Sequence, residues 1–285
     1  MSTLVSAWNG AKRRLEAAGV DSPVIDARLL VEAAAGATRA DIIADPHRVL
    51  ASEEETALEG YLLRRERREP VSQILGAKGF WKIMLRVTRD VLTPRPDTET
   101  ILDVVLPAFP EAARFSVLDL GVGSGAILLA ILAERPQATG LGIELSEQAL
   151  AVARENAATL GLSSRATLSH GDWTGGLADD AFDLVVSNPP YIPTREIEHL
   201  APEVRDHEPR LALDGGPDGL DAFRRLAPEI LRVLRPGGRF AVETGADQGG
   251  AVRTLFETAG ATDLRTVKDL SDRGRVVTGL KKPLG

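Results

Sequence analysis

The feature that most constrains the fold is a regular alternation of apolar strands and helices that begins at residue 115. "FSVLDL" at 115–120 is a buried strand, "GVGSG" is a turn and "AILLAILAE" is a helix. "ATGLGIEL" at 138–145 is the next strand, and Ser146 is the N-cap of the helix that follows it. Alternating strands and helices with right-handed crossovers predict an α/β fold with a doubly wound, mostly parallel sheet.

The same pattern continues to the end of the chain. We predict further strands at 165–172, 182–187 and 239–245, and helices at 219–234 and 249–260, with "RPGG" ending the first of these helices. The last segment, "TDLRTVKDLSDRGRVVTGLK", has the pattern of two strands around a tight turn.

The N-terminal part has a different pattern. Helical periodicity and turn signals up to about residue 75 predict a small helical bundle, and alternation from Phe80 to Val87 predicts a β-hairpin. We therefore expect three parts: a helical domain at 1–75, a β-hairpin linker at 76–92 and an α/β domain at 93–285. The basic run "RRERRE" at 64–69 is expected to be a solvated helix face, with a docking surface as the alternative.

Composition excludes several classes of function. The chain of 285 residues has no cysteine, which excludes thiolate metal sites and a cysteine nucleophile, and its four histidines are scattered, so we expect no metal. A net charge of −7 provides little of the positive field on which non-specific nucleic-acid binding depends. No segment has the apolar length of a membrane span and the N-terminus lacks a signal-peptide pattern, so we expect no membrane association and a cytoplasmic location.

"DLGVGSGA" at 119–126 places a glycine-rich turn between a strand and a helix. Such turns let a ligand approach the backbone at the positive end of a helix. The turn fits a dinucleotide site, an S-adenosylmethionine site or a purely structural turn. Glu144 ends the next strand and is a candidate acceptor for ribose hydroxyls in either cofactor, and Trp173 either borders an adenine ring or packs in the core.

"NPPY" follows the strand at 182–187, the fourth of the α/β domain, and is therefore expected beside the glycine turn. Two consecutive prolines make this loop stiff. We expect the side-chain oxygen of Asn188 and the carbonyl of Pro189 to accept the two N–H groups of a planar amine or amide, with Tyr191 packed on its flat face. This arrangement suits a methyltransferase that acts on an NH₂ group; the alternative is a loop stiffened by proline for structural reasons.

The chain resembles the protein-(glutamine-N(5)) methyltransferases that modify peptide chain release factors, the PrmC/HemK family. The resemblance runs from about Glu69 to Val277 and is carried by six motifs in family order: "EPVSQILG", "VLTPRPDTE", "VLDLGVGSGAI", "NPPYI", "EPRLALDGGPDGL" and "ETGADQ". "NPPY" is shared with amino-directed DNA methyltransferases, whereas "PRPDTE" and "EPRLAL" are much more specific. The chain departs from the family pattern at Val122, at Glu144, where aspartate is usual, and in "ETG", where "EIG" is usual.

The resemblance implies a class I, Rossmann-like methyltransferase fold with S-adenosylmethionine as donor and a glutamine of class-1 release factors as acceptor. The acidic charge balance leads us to expect no direct nucleic-acid partner, and we expect a monomer. The cofactor residues that the resemblance implies are Gly121, Val122, Gly123, Ser124, Gly125, Glu144, Trp173 and Asn188. The glutamine pocket it implies is formed by Asn188, Pro189, Pro190 and Tyr191, of which Asn188, Pro189 and Tyr191 are the catalytic candidates.

Arg95 and Glu99 of "PRPDTE" are implied to lie beside the active site, and the alternative is a local ion pair that fixes the linker. Two other functions stay open from the sequence. One is methylation of adenine or cytosine in nucleic acid by the same loop acting on a flipped base. The other is cofactor binding without turnover.

Overall fold

A computed structural model describes residues 2–283, which form two compact units. The first unit contains the chain up to Ala77 together with Ala201–His207, and the second contains Lys78–Leu200 and the chain from Glu208 onward. The helices are α1 Leu4–Ala17, α2 Pro23–Ala35, α3 Arg39–Ala44, α4 Ser52–Glu66, α5 Val71–Leu75, α6 Thr100–Val105, α7 Ala126–Glu134, α8 Glu147–Thr159, α9 Pro202–Arg205, α10 Asp221–Val233 and α11 Gly249–Thr258. The strands are β1 Ala77–Phe80, β2 Ile83–Arg86, β3 Ser116–Leu120, β4 Thr139–Glu144, β5 Ala166–His170, β6 Phe182–Ser187, β7 Leu234–Glu243, β8 Ala261–Lys268 and β9 Gly274–Lys281.

The first unit is built from helices α1 to α5, and it has its own apolar core. Thr3 and Thr38 begin α1 and α3 with capping boxes, as hydroxyl side chains at N-caps favour. The small helical bundle expected from periodicity is present. Its short helix α5 lies in "EPVSQILG", and its five residues are too few to show a helical period in the sequence.

A buried ion-pair group holds Ala201–His207 in the helical unit. The Arg65 guanidinium, of which only 6% is exposed, donates to Asp26 at 2.8 Å and to Glu203 at 2.8 Å. Arg68 also donates to Glu203, at 2.7 Å. These contacts explain why a segment that the sequence analysis assigned to the α/β domain packs with the N-terminal helices instead.

The β-hairpin is formed by β1 and β2 as a two-stranded sheet, and it packs from Lys78 onward as part of the second unit. Asn156 of α8 anchors it by accepting the Arg86 N–H at 2.7 Å and donating to the Arg86 carbonyl at 3.0 Å. Phe80 and Leu85 are fully buried in the core of that unit. The hairpin is thus an integral layer of the α/β unit.

Among residues 2–283, seven strands form the main sheet in the order β5-β4-β3-β6-β7-β9-β8. All neighbouring pairs are parallel up to β7, and β9 is antiparallel to β7 and to β8. Two apolar clusters cover the sheet, one around α6 and α7 and the other around α10 and α11. The doubly wound, mostly parallel fold predicted from the alternation is confirmed, and the order reverses between β3 and β6.

The start of β7 differs from the prediction. The helix ends at Val233, as expected from "RPGG" at 235–238, but the strand was predicted at 239–245 and already begins at Leu234. Phe182 pairs with Leu234 and Leu184 pairs with Arg239, so residues 235–238 bulge out opposite Asp183. The two strands expected at the C-terminal end are β8 and β9, which confirms that prediction.

The buried ion-pair group makes the helical unit sensitive to one substitution. We expect Arg65→Ala to lower the free energy of unfolding by about 3 kcal/mol, because Asp26 loses the buried arginine with which it pairs and Glu203 is left with Arg68 alone. The matched control is Arg13→Ala on the exposed face of α1, which should change it by less than about 0.5 kcal/mol. Urea unfolding followed by circular dichroism measures both, and equal losses in the two variants would contradict this account.

Candidate active site

A cavity of about 370 Å³ opens in the second unit where the strand order reverses. This volume is within the range of small-molecule sites. Its walls come from the glycine turn after β3, the ends of β4 and β5, the loop after β6, and the segments around residues 91–98 and 211–212. The residues that line it include Arg95, Thr98, Gly121, Gly123, Ser124, Glu144, Asp172, Trp173, Asn188, Pro190 and Leu211.

The glycine turn is held in place by backbone and side-chain hydrogen bonds. Gly121, with φ of +74°, donates its N–H to the Ile143 carbonyl at 2.9 Å. Glu144 accepts from the Gly123 N–H at 2.8 Å and from the Ser146 N–H at 3.0 Å. The Glu144 carboxylate therefore fixes the turn and still lines the cavity with lone pairs to spare.

Asp119 lies directly beneath this turn and is only 1% exposed. Its Oδ2 accepts from the Leu128 N–H at 3.1 Å, while Oδ1 has no hydrogen-bond partner within residues 2–283. Burial raises the pKa of Asp119 to about 7, the Leu128 N–H opposes this shift, and the Glu144 carboxylate adds to it. Asp119 does not line the cavity, so its unpaired oxygen is a buried group beside the site and not part of its wall.

Trp173 and Asp172 form the wall beyond β5. Trp173 has φ of +53°, which is strained for a tryptophan, and its ring edge lies 3.6 Å from the point where a Cβ on Gly121 would stand. Asp172 is paired with Arg225 at 3.0 Å, and both line the cavity. The apolar side chains of Ile143 and Leu145 also line the cavity beside them.

The "NPPY" loop leaves β6 beside the glycine turn. The Asn188 Nδ2 group donates to the Thr98 hydroxyl at 3.3 Å, and Asn188 lines the cavity. The Tyr191 hydroxyl donates to Glu243 Oε1 at 3.0 Å, inside the protein. Gly219 packs so closely on this loop that an added Cβ would stand 2.3 Å from the Tyr191 carbonyl, and therefore no larger residue fits there.

The "EPRLALDGG" segment returns to the same loop. Ile192 donates to the Leu213 carbonyl at 3.0 Å and accepts from the Gly215 N–H at 2.8 Å. Arg95 donates to both oxygens of buried Glu208, at 2.7 and 2.8 Å. Burial raises the pKa of Glu208, and the charge of Arg95 opposes that shift. These contacts place Leu211, whose side chain is exposed, at the cavity mouth.

The structure brings most of the predicted site residues together. The cavity is lined by Arg95, Gly121, Val122, Gly123, Ser124, Glu144, Trp173, Asn188 and Pro190. It is not lined by Glu99, Gly125, Pro189 or Tyr191. Gly125 packs against Leu129 of α7, Tyr191 faces Glu243, and Glu99 accepts from the Trp81 N–H at 2.8 Å, which holds the hairpin.

Thr98, Glu243 and Asp119 were not assigned to the site from the sequence, yet they lie at or next to it. Thr98 stands inside "PRPDTE" and Glu243 inside "ETGADQ", so the motifs were visible but the contacts of these side chains were not. Within residues 2–283, no cluster of three or more potential metal ligands occurs. In the same part of the chain, no helix combines the length and the apolar character that crossing a bilayer requires.

Comparison with known proteins gives two family matches and many close relatives. Residues 6–76 match the family model described as PrmC N-terminal domain, and residues 112–273 match one described as methyltransferase domain. A release factor glutamine methyltransferase of Caulobacter vibrioides is 68% identical over 99% of this chain and 98% of its own length. One of Rhodospirillum rubrum is 47% identical over 95% and 83%. A solved methyltransferase from Pyrococcus furiosus, 17% identical, has the same fold over 77% of this chain and 98% of its own, with a TM-score of 0.55.

The buried carboxyl of Asp119 predicts a pH dependence of stability. Because its folded pKa is raised, the folded state binds more protons than the unfolded state between about pH 4 and pH 7, and stability falls as the pH rises through this window. Asp119→Asn should therefore gain stability relative to the parent across the window, by up to about 1.4 kcal/mol per pH unit. Urea unfolding at several pH values measures this difference. Asp103→Asn, on an exposed position of α6, is the control, and a pH-independent difference for Asp119→Asn would contradict the assignment.

Proposed function

The chain belongs to the release factor glutamine methyltransferases, and from this we propose that it methylates the side-chain amide nitrogen of a glutamine in peptide chain release factors, with S-adenosylmethionine as donor. We propose further that the acceptor is the glutamine of the Gly-Gly-Gln motif in class-1 release factors. The observation that carries the proposal is that the glycine turn and Asn188 line one cavity.

The donor half of the cavity fits S-adenosylmethionine. Gly121 and Gly123 leave the turn open where side chains would otherwise fill it, and Glu144 presents a carboxylate for ribose hydroxyls. Asp119, at the end of the strand that leads into the turn, keeps one buried carboxyl oxygen without a hydrogen-bond partner close to this half of the cavity. Trp173 and Asp172 border the slot proposed for the adenine. When bound, the donor supplies an electrophilic methyl group on a sulfonium.

The acceptor half of the cavity centres on Asn188. Because its Nδ2 group donates to Thr98, its Oδ1 is left to accept an N–H of the substrate amide. An amide nitrogen is a weak nucleophile since its lone pair is delocalised, and an acceptor on its hydrogen favours the charge that develops as the N–C bond forms. The carbonyl of Pro189 as second acceptor stays a prediction, and Pro190 supplies cavity wall.

Tyr191 has a different proposed role from the one predicted. Its hydroxyl is tied to Glu243 and its ring packs with the core cluster on one face of the sheet, so packing on the substrate is not supported by the cavity lining. Burial raises its pKa, with the Glu243 carboxylate adding to the shift, so the hydroxyl stays protonated and acts as a donor. We propose that Tyr191 holds the "NPPY" loop in place through this hydrogen bond to Glu243.

The helical unit is proposed to dock the release factor. It corresponds to the match with the PrmC N-terminal domain, and it exposes the apolar side chains of Val24, Ile25, Ile43 and Leu63. We further propose that the enzyme acts as a monomer in the cytoplasm and that nucleic acid is not a substrate, in keeping with its acidic balance.

A transfer assay tests the substrate assignment. The enzyme is incubated with methyl-labelled S-adenosylmethionine and one of three acceptors: a class-1 release factor, the same factor with its motif glutamine changed to alanine, or double-stranded DNA. We expect label in the parent factor alone, because only there does the cavity meet a glutamine amide. Label in DNA would favour the nucleic-acid alternative, and equal label in the alanine variant would refute the choice of glutamine.

The role of Asn188 is tested by separating binding from turnover. Asn188→Ala removes the acceptor for the reacting amide but no group that holds the glycine turn, so kcat should fall by about 100-fold or more. The affinity for S-adenosylhomocysteine, measured by calorimetry, should change only a few-fold. Comparable losses of affinity and of kcat would show that Asn188 acts mainly in donor binding, and the thermal midpoint reports whether the variant is folded.

A further inference from the structure

The cavity wall beyond β5 contains a residue in a strained conformation. Trp173 has a φ of +53°, in the left-handed region that a residue with a bulky side chain rarely adopts. Such a conformation persists only where neighbouring contacts hold it. In this conformation the edge of the Trp173 ring lies 3.6 Å from the point where a Cβ on Gly121 would stand, so the ring closes on the glycine turn. The contacts that fix residues 172–174 therefore shape the donor half of the cavity.

The residue after Trp173 is held by one face of α10. Arg225, Glu229 and Arg232 are spaced at i, i+4 and i+7, which places them on the same side of that helix. Thr174 is only 1% exposed, and its hydroxyl donates to Glu229 Oε2 at 2.8 Å. Arg232 donates to the carbonyl and to the hydroxyl oxygen of Thr174, both at 3.1 Å. The one proton of the Thr174 hydroxyl and its lone pairs are thus both used by α10.

The residue before Trp173 is held by the same helix. Asp172 pairs with Arg225 through both carboxylate oxygens, each at 3.0 Å. Arg225 also donates to Glu229 Oε1 at 3.2 Å, so Glu229 joins the two anchors. The Asp172 and Arg225 side chains are about half exposed, and an exposed ion pair contributes little by itself. The hydrogen bond from buried Thr174 to the Glu229 carboxylate is therefore the stronger anchor.

The two side chains of this stronger anchor lie outside the cavity. Asp172, Trp173 and Arg225 line the cavity, whereas Thr174 and Glu229 do not. A substitution at Thr174 or Glu229 therefore removes no group that a ligand in the cavity would touch. Its effect on ligand binding has to pass through residues 172–174.

We propose that Thr174 and Glu229 are positioning residues for S-adenosylmethionine, because they hold Trp173 in its left-handed conformation before the donor binds. Without their hydrogen bond this conformation becomes one of several, and a ligand that requires it binds more weakly in proportion to the lost population. The methyl transfer itself should be little affected once the donor is bound, since Asn188 is on a different loop. This inference rests on the proposed function, because it assumes that the adenine of the donor lies beside Trp173.

Four variants separate the hydrogen bond from other effects. Thr174→Val replaces the hydroxyl by a methyl group, whereas Thr174→Ser retains the hydroxyl. Glu229→Ala removes the acceptor. Glu257→Ala, at an exposed position of α11, is the matched control for the loss of a glutamate from a helix. The thermal midpoint of each variant shows whether it is folded under the conditions of measurement.

We expect Thr174→Val and Glu229→Ala each to lower the affinity for S-adenosylhomocysteine, measured by calorimetry, by about 10-fold, roughly the value of one lost hydrogen bond to a charged group. On a release factor, the KM for S-adenosylmethionine should rise by a similar factor while kcat stays within about two-fold of the parent. Thr174→Ser should recover most of the affinity, and Glu257→Ala should match the parent. The double variant Thr174→Val with Glu229→Ala should lose much less than the product of the two single losses, because both remove the same hydrogen bond.

Tryptophan fluorescence reports the position of Trp173 directly. The chain has three tryptophans, so Trp8→Phe with Trp81→Phe leaves Trp173 as the only one. In this background, Thr174→Val should shift the emission of the ligand-free protein to longer wavelength, because a released ring is more exposed to water. Saturating S-adenosylhomocysteine should reverse the shift by selecting the held conformation. Thr174→Ser should keep the emission of the background protein.

Several outcomes would overturn the inference. Parent-like affinity in Thr174→Val would do so, since packing alone would then hold Trp173, and so would equal losses in Thr174→Ser and Thr174→Val. A fall of kcat as large as the rise of KM, or an unchanged Trp173 emission in Thr174→Val, would also contradict it. If the parent did not bind S-adenosylhomocysteine, the proposed donor and this inference would both be refuted. If the parent bound it but labelled no release factor, only the proposed acceptor would be refuted, because affinity and emission are measured without a release factor.

Discussion

The parallel pairing of β3 with β6 is the constraint on which the site depends. The chain leaves β3, builds β4 and β5 to one side, and returns to place β6 on the other side of β3. Leu120 pairs with Ser187, and the Ser187 hydroxyl donates to the Leu120 carbonyl at 2.6 Å. The two strands therefore end in register, and the loops that follow them diverge around one crevice. The glycine turn and "NPPY" are about 65 residues apart in sequence. Because the two strands end in register, the turn and the loop both line the same cavity.

The segment Arg95–Glu99 shows how one short stretch organises this crevice. Arg95 pairs with Glu208, Asp97 pairs with Arg275, Thr98 accepts from Asn188, and Glu99 accepts from the Trp81 N–H. Four side chains of one short segment thus contact four separate parts of the α/β unit. A 3₁₀ turn that begins at Pro96 permits this, since side chains at successive positions of a tight helix point in different directions. The local sequence is specific because four of its five positions have different partners.

The sequence predicted what depends on periodicity and contiguous motifs. Strands β3, β4 and β6, the helices between them and the glycine turn are each encoded within a few neighbouring residues, and they were found. The direction in which a side chain points, and the residue that it contacts, could not be predicted in the same way. Nothing in "NPPY" indicates that Asn188 faces the cavity while Tyr191 faces Glu243, since Glu243 arrives from β7 more than 50 residues later. The assignment of Ala201–His207 to the helical unit likewise depends on Arg65 and Glu203, which are distant in sequence.

The polar groups that the cavity offers to a ligand are mainly hydrogen-bond acceptors, because the arginine side chains that line it are already paired with carboxylates. Arg95 is paired with Glu208, and Arg225 is paired with Asp172. Glu144 then leaves a carboxylate beside the glycine turn without a cationic partner among the contacts described for it. A site of this kind favours a positively charged donor and a reacting N–H group over phosphate or carboxylate ligands. The same electrostatic property of the cavity walls therefore fits both halves of the proposed reaction.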